Sequence, residues 1–255
     1  MTIADRHYFD KFNFLIGGEL RELVDRFDFT GQNGDLNYQT QASAVYSSNI
    51  EGNSIDLNSF MNSRIANVKF EPQKELREIE DLVSAYEFAQ KEPLTEVNLL
   101  KAHYLFSEQF VIKELRGIYR NEKVGVFGQS GLVYLAVEPE YVAAEMKGFF
   151  EEISKLLSTK LSLEETFYFA SLIHLRFAHI HPFSDGNGRA ARLLEKWFLA
   201  EQLGLEFWKI PAEKYYKEHQ AEYYANIKLG VNFYELNYDK SLPFLTMLPN
   251  SLRNA

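Results

Sequence analysis

Most of the chain follows a helical spacing of apolar residues. Between Glu75 and Ala89, the residues Leu76, Ile79, Leu82, Val83 and Tyr86 fall on one stripe, behind a Pro72 suited to a helix start. Thr95 can cap a helix carrying Leu99, His103, Phe106 and Phe110. Ser162-Leu163-Glu164-Glu165 is a capping box, in which serine and glutamate satisfy each other's orphan amides. It opens a helix with Phe167, Ala170, Ile173, His174 and Phe177 turned inward. Further helices are expected from about Gly188 to Leu203 and from about Ala212 to Leu229. One stretch breaks the pattern: Lys123 to Val137 holds two short β-prone runs around Gly128-Gln129-Ser130-Gly131, the signal of a hairpin with a four-residue loop. A lone hairpin is marginal in water, so this one should lie against the helices. The loop around Gly31 to Asp35 should separate an N-terminal helix from the rest. With no repeat and no long linker, one all-α domain with a single hairpin is the economical expectation.

Composition narrows the function without naming it. The chain has 255 residues, 46% of them hydrophobic and 25% charged, ordinary values for a folded protein of one to two domains. Aromatic residues reach 15%, so ring packing should dominate the interior. Lys plus Arg number 27 against 36 Asp plus Glu, a net charge of −9 that argues against nucleic acid as the main partner. The absence of cysteine removes disulfides, thiol catalysis and thiolate zinc sites. The first twenty residues lack the basic start and unbroken apolar run of a secretory signal, and nowhere do eighteen apolar residues run together. A cytoplasmic location without membrane contact is the default expectation.

The chemistry concentrates in HPFSDGNGRAAR, His181 to Arg192. Asp185-Gly186-Asn187-Gly188 is a turn that needs glycine's backbone freedom, and it leads into a strongly apolar helix. Amides at that helix start make an anion site by geometry and dipole together. Arg189 and Arg192, three apart, are expected on one face, where two guanidiniums suit a polyphosphate. Asp185 can hold magnesium through one bond, with water and substrate phosphates completing its shell. His181 can take a proton from an attacking hydroxyl near neutral pH. Together these residues imply phosphate-group transfer from a nucleotide. A plain capped turn with surface arginines is the bland alternative, strained here because arginines opening a buried helix need an anionic partner. His179, His181 and Asp185 also suggest a hydrolytic metal site, but Phe183 stands where its usual form has an aspartate.

The segment resembles the Fic family motif HxFx(D/E)GNGRxxR at His181, Phe183, Asp185, Gly186, Asn187, Gly188, Arg189 and Arg192. Gly117-Ile118-Tyr119-Arg120 before Val124-Gly125-Val126 resembles the approach to that family's flap. The resemblance implies an all-α Fic-type bundle with one small β-hairpin flap. It implies transfer of AMP from ATP to a Tyr, Ser or Thr hydroxyl of a target protein, the chain itself included, with pyrophosphate leaving. His181 would be the base and Asp185 would hold magnesium. Gly186, Asn187, Gly188 and Arg189 would bind the phosphates and stabilise charge, and Arg192 would hold the γ-phosphate. Phe183 reads better as an anchor for the loop. Kinase-like relatives place lysine at the second glycine, so Gly188 favours nucleotide transfer over phosphorylation.

Upstream, Tyr38 to Ile50 can form a helix that Gly52 would end, leaving Glu51 at its negative end. Ser47, Glu51 and Gly52 resemble the family's (S/T)xxxE(G/N) inhibitory motif. The implied device is a Glu51–Arg192 ion pair in the γ-phosphate clamp. In some relatives the same glutamate supports removal of AMP, which leaves a hydrolytic alternative open; a catalytically silent scaffold binding through its flap is a third. Tyr223 and Tyr224 resemble a pair that lines the adenine pocket, and Asn232 is a further candidate there. Residues Lys123, Val124, Gly125, Val126 and Phe127 offer a strand edge for a target loop. His7, His103, His174 and His219 read as packing or surface residues. The expected organisation is one domain over residues 1–255: N-terminal helices to residue 70 with the inhibitory segment 36–53, a core over 71–230, and a helical tail over 231–255. Association with further copies is left open.

Overall fold

A computed structural model describes residues 3–30, 35–66, 72–128 and 131–253 of the chain. Helices α1 (Phe9–Phe12), α2 (Gly18–Arg26), α3 (Leu36–Ile50), α4 (Leu57–Ala66), α5 (Gln73–Ala89) and α6 (Glu96–Phe106) precede the strands β1 (Gly125–Gly128) and β2 (Gly131–Leu135). After them come α7 (Pro139–Leu157), α8 (Leu163–Ile180), α9 (Asn187–Leu203), α10 (Ala212–Glu218), α11 (Gln220–Ile227), α12 (Leu242–Leu245) and α13 (Met247–Asn250). The architecture is the all-α bundle with one small antiparallel sheet. The loop at residues 31–34 and the hairpin tip, Gln129 and Ser130, lie outside the described residues.

Helices α8 and α9 are the centre of the bundle. Neighbours cover both on nearly every side: Phe167, Phe177, Leu193 and Phe198 are wholly buried, and on α9 the charged Arg189, Arg192, Glu195 and Lys196 are buried with them. The expected capping box is formed: Glu165 N donates to Ser162 Oγ at 3.1 Å, and Ser162 N donates to Glu165 Oε2 at 2.8 Å. Helix α3 starts on Asp35, whose carboxylate accepts from Asn37 N at 2.9 Å. It ends where Gly52 turns to φ +99°.

The structure corrects three boundaries. Helix α6 stops at Phe106, because Ser107 leaves helical angles, so Phe110 lies on the turn beyond it. The helix expected from Ala212 to Leu229 is two helices, broken at His219 with φ −110° and ψ 35°, where His219 Nδ1 lies 2.9 Å from Tyr215 O. Strand β1 starts at Gly125 rather than Lys123, and a bulge interrupts its pairing between Val126 and Phe127.

The hairpin is tied down on one side. Tyr134 donates its hydroxyl to His179 O at 2.6 Å, and Leu135 N donates to Val231 O at 3.0 Å. Among the described residues, no strand pairs with the outer edge of β1. No described helix is long and apolar enough to cross a membrane.

A fully buried ion pair staples α9 to α10. Lys196 Nζ lies 2.7 Å from Glu213 Oε2 and donates to Ser43 Oγ at 2.5 Å, while Tyr86 donates to Glu213 Oε1 at 2.7 Å. Breaking such a pair from one side strands a charge, which costs about 3–5 kcal/mol. Glu213→Ala should therefore lower unfolding stability in urea by that amount. A loss under about 1 kcal/mol would show that Lys196 finds another acceptor.

Candidate active site

The loop between α8 and α9 is fixed by Arg120 ahead of the hairpin, by α6 and by the start of α9. His181 takes the left-handed conformation, φ 52° and ψ 57°, which costs energy for a residue with a side chain. Arg120 holds it there: the buried guanidinium donates to His181 O at 2.7 Å and to Val137 O at 2.6 Å. Arg120 N also donates to Pro182 O at 2.9 Å. The side-chain amide of Asn187 brackets Phe183, accepting from its N and donating to its O, each at 2.8 Å. The Phe183 ring stacks on His103 at 3.7 Å between centroids. His103 Nδ1 accepts from Gly117 N at 2.9 Å, so its proton sits on Nε2, which donates to Asp185 O at 3.0 Å. At Gly186, φ is +83° and a Cβ would approach Phe106 to 2.9 Å, so glycine is required.

His181 Nδ1 lies 3.2 Å from Ala178 O. Donation to that carbonyl leaves Nε2 with its lone pair free. Burial pushes the His181 pKa below the ordinary histidine value, and the nearby Arg120 cation adds to the effect. The imidazole is thus a neutral base at neutral pH. Asp185 is exposed; its Oδ1 accepts from Gly186 N at 2.6 Å, which leaves its other oxygen for a ligand. That hydrogen bond also takes the Gly186 amide out of the expected anion nest. The unpaired amides of the first turn of α9 are those of Asn187, Gly188 and Arg189.

Arg192 is wholly buried, and four of its five N–H groups have partners. Its Nε donates to Ser47 Oγ at 2.9 Å, Nη2 to Ser47 O at 3.0 Å and to Glu51 Oε1 at 2.7 Å, and Nη1 to the Tyr223 hydroxyl at 3.2 Å. Burial works against an ionised Glu51, but Arg192 and Arg189 outweigh it and hold the carboxyl below its usual range. The carboxylate lies over the first turn of α9, where a Cβ on Gly188 would overlap Glu51 Oε1.

A cavity of about 570 Å³ opens beside this pair. Glu51, His181, Asn187, Gly188 and Arg192 line it, with Val126, Tyr134, Tyr223, Tyr224 and Ile227 supplying apolar wall. Tyr223 is buried with its hydroxyl 2.9 Å from His174 Nε2; Tyr224 is half-exposed at the rim. From the flap, Val126 reaches the cavity; Lys123 and Val124 precede the strand, and the Phe127 side chain lies outside the described residues.

Several expected placements differ. Arg189 does not line the cavity: its guanidinium lies over the Phe110 ring at 4.2 Å and 3.8 Å from Glu78, and its Nε has no hydrogen-bond partner. Three residues fall about 60° short of a full turn, enough for Phe110 and Glu78 to draw Arg189 away from Arg192. Asn232 also stands away from the cavity, its side chain capping the turn at Phe233–Glu235 by accepting from Tyr234 N at 3.0 Å. His179 is committed to the Tyr238 hydroxyl at 3.0 Å and Ile227 O at 2.8 Å. Among the described residues, no group of three or more His, Asp or Glu could hold a metal ion.

Residues 93–199 match the model of the Fic/DOC family. That segment, which holds the histidine loop and most of α9, is similar to a Fic domain. Curated proteins to which the chain is similar include the protein adenylyltransferase fic-1 of Caenorhabditis elegans, 30% identical over 97 residues, and the protein adenylyltransferase Fic of Nematostella vectensis, 37% identical over 78. The matches span 38% and 31% of this chain but only 17% and 16% of those proteins. The fold is shared with a Fic family protein of Desulfovibrio desulfuricans, TM-score 0.76 at 23% identity, covering 96% of this chain and 72% of that one. It is shared also with a Fic domain signalling protein of Bacteroides thetaiotaomicron, TM-score 0.71 at 20% identity, covering 92% and 95%.

Positioning groups that the sequence hid include His103, read there as packing, and Arg120, read only as the approach to the flap. The signal for His103 was its place on an apolar stripe, where a polar residue needs a partner. Burial holds His103 and His179 each at a pKa of about 4, against about 6.5 when exposed. Unfolding therefore takes up protons between those values. Stability is full above about pH 6.5 and falls toward pH 4, by up to about 1.4 kcal/mol per pH unit for each histidine. Urea midpoints at pH 7 and pH 5 check this, and equal midpoints would contradict it.

Proposed function

We propose that the Fic domain transfers AMP from ATP to a hydroxyl of a target protein and that Glu51 holds the reaction in check. The observation that carries the reading is the cavity shared by His181, the first turn of α9 and Arg192, with Glu51 on the guanidinium. In the reaction, His181 Nε2 takes the proton of the target hydroxyl, whose oxygen attacks the α-phosphorus of ATP. The bond to the bridging oxygen breaks, and pyrophosphate leaves with the electron pair. The amides of Asn187 and Gly188 face the developing negative charge.

Asp185 fits a magnesium site of the one-carboxylate kind, because one oxygen is free and exposed at the mouth of the loop. The ion would neutralise phosphate charge there. Arg192 would hold the γ-phosphate. Arg189 supports that end through charge alone unless its side chain turns from Phe110, and its unpartnered Nε leaves it a donor to offer. The apolar wall with Tyr223 and Tyr224 suits a base. The open edge of β1 suits a target segment bound through its main chain.

Inhibition follows from charge. Glu51 occupies the guanidinium that the γ-phosphate needs, and two anions cannot share it without repulsion. The adenylyltransferase names of the relatives agree with the chemistry. ATP labelled at the α-phosphate, with magnesium, tests the reading. Glu51→Gly should label itself or a target at least about tenfold more than wild type, a barrier change of about 1.4 kcal/mol. His181→Ala should not label at all. Equal labelling of Glu51→Gly and wild type would remove the inhibitory role, and transfer of the γ-label would make the enzyme a kinase.

A further inference from the structure

The last turn of α3 is held by a second set of side chains, of which only Tyr224 also borders the proposed nucleotide cavity. An α-helix leaves its final carbonyls without intrahelical partners, and its dipole puts partial negative charge there. Glu51, the residue just past Ile50, adds a full negative charge to that end. Left alone, this turn would fray and carry Glu51 away from Arg192.

Each of those carbonyls is instead satisfied. Ser47 O accepts from Arg192, and Ser48 O accepts from Glu51 N at 3.0 Å and Asn53 N at 3.1 Å. Asn49 O accepts from Lys217 Nζ at 2.8 Å. Ile50 O accepts twice, from Gln220 Nε2 at 2.8 Å and from the Tyr224 hydroxyl at 3.0 Å. Lys217 also donates to Gln220 Oε1 at 2.8 Å, which turns the Gln220 amide so that its NH₂ faces Ile50. Two helices, α10 and α11, thus deliver one cation and two neutral donors to the two carbonyls next to Glu51. The cation offsets both the dipole and the carboxylate.

We propose that Lys217, Gln220 and Tyr224 form a clamp that positions Glu51 on Arg192, and that the clamp's strength sets how fully the enzyme is inhibited. The inference rests on the inhibitory reading of Glu51. Lys217 and Gln220 do not line the cavity, so they act on the reaction only through α3. Losing the Lys217 contact frees the last turn, and Glu51 then spends more of its time off the guanidinium.

The test compares Lys217→Met, Lys217→Arg and Gln220→Ala in the full chain, each with Glu51 and with Glu51→Gly, using α-labelled ATP. Lys217→Met keeps the apolar stem and removes the donor. It should raise labelling about tenfold over wild type, and Lys217→Arg, which can still donate to Asn49 O, should return it. With Glu51→Gly present, Lys217→Met should add nothing. Hydrogen exchange of the amides of residues 51–53 supplies a readout without activity and should speed up by a similar factor in Lys217→Met. Strong labelling by Glu51→Gly with none gained by Lys217→Met overturns the clamp, as does an equal gain in both backgrounds. If Glu51→Gly itself gains nothing, the inhibitory reading fails; exchange unchanged in Lys217→Met then overturns the clamp as well. Should Lys217→Met not fold, Gln220→Ala carries the same comparison.

Discussion

A guanidinium is costly to bury without a counter-charge and nearby acceptors, and the Arg192 side chain is buried to 1% exposure inside the central helix. Much of the arrangement around α9 answers that demand. Helix α3 brings Ser47 and, at its end, Glu51 to the guanidinium, and Tyr223 from α11 supplies a further acceptor. Gly188 leaves room for the carboxylate over the helix start. Tyr223 is steadied in turn by His174, whose other ring nitrogen lies 3.2 Å from the buried Glu195. The N-terminal and C-terminal parts of the chain therefore meet at one cation.

The second constraint is a loop that must keep a histidine in a left-handed conformation. The Asn187–Phe183 contacts within the loop do not do this alone, since the carbonyls of His181, Pro182 and Asp185 are taken by groups from outside it. Arg120 collects those carbonyls at the junction of hairpin and loop, and His103 ties Asp185 to Gly117. The flap and the histidine loop are thus built on the same arginine. On the proposed reading, a target segment aligned on the hairpin would be held in a fixed frame relative to His181, which is what proximity catalysis requires.

Sequence spacing revealed the parts of this site that are contiguous. His181, Asp185, the glycines and Arg192 lie within one turn and one helix start, where local geometry dictates what each backbone group can do. The Glu51 pairing was legible only through resemblance, because 141 residues separate the partners. The direction taken by Arg189 was not legible, since it depends on Phe110 and Glu78 rather than on the period of α9. The break at His219 was hidden for a similar reason: the residues from Ala212 onward favour helix throughout, and only contacts with the end of α3 show what the two shorter helices serve. Asn232 was misplaced because an asparagine beside Phe233 is as well suited to capping a turn as to facing a ligand.

Two ion pairs lie one turn apart on α9, and their difference argues which of them can take part in function. Lys196 and Glu213 are sealed at 2% and 1% exposure, with hydroxyls of Ser43 and Tyr86 completing their shells. No anion can replace Glu213 without unpacking the core, so this pair can only stabilise. Arg192 is equally buried, yet its partner Glu51 is 29% exposed and borders the cavity. A counter-ion with a path to solvent can be exchanged for another anion of the right geometry, while the cation stays where it is. On the proposed reading, the asymmetry of burial within the pair, rather than the pair itself, would fit it to regulate access to a polyphosphate.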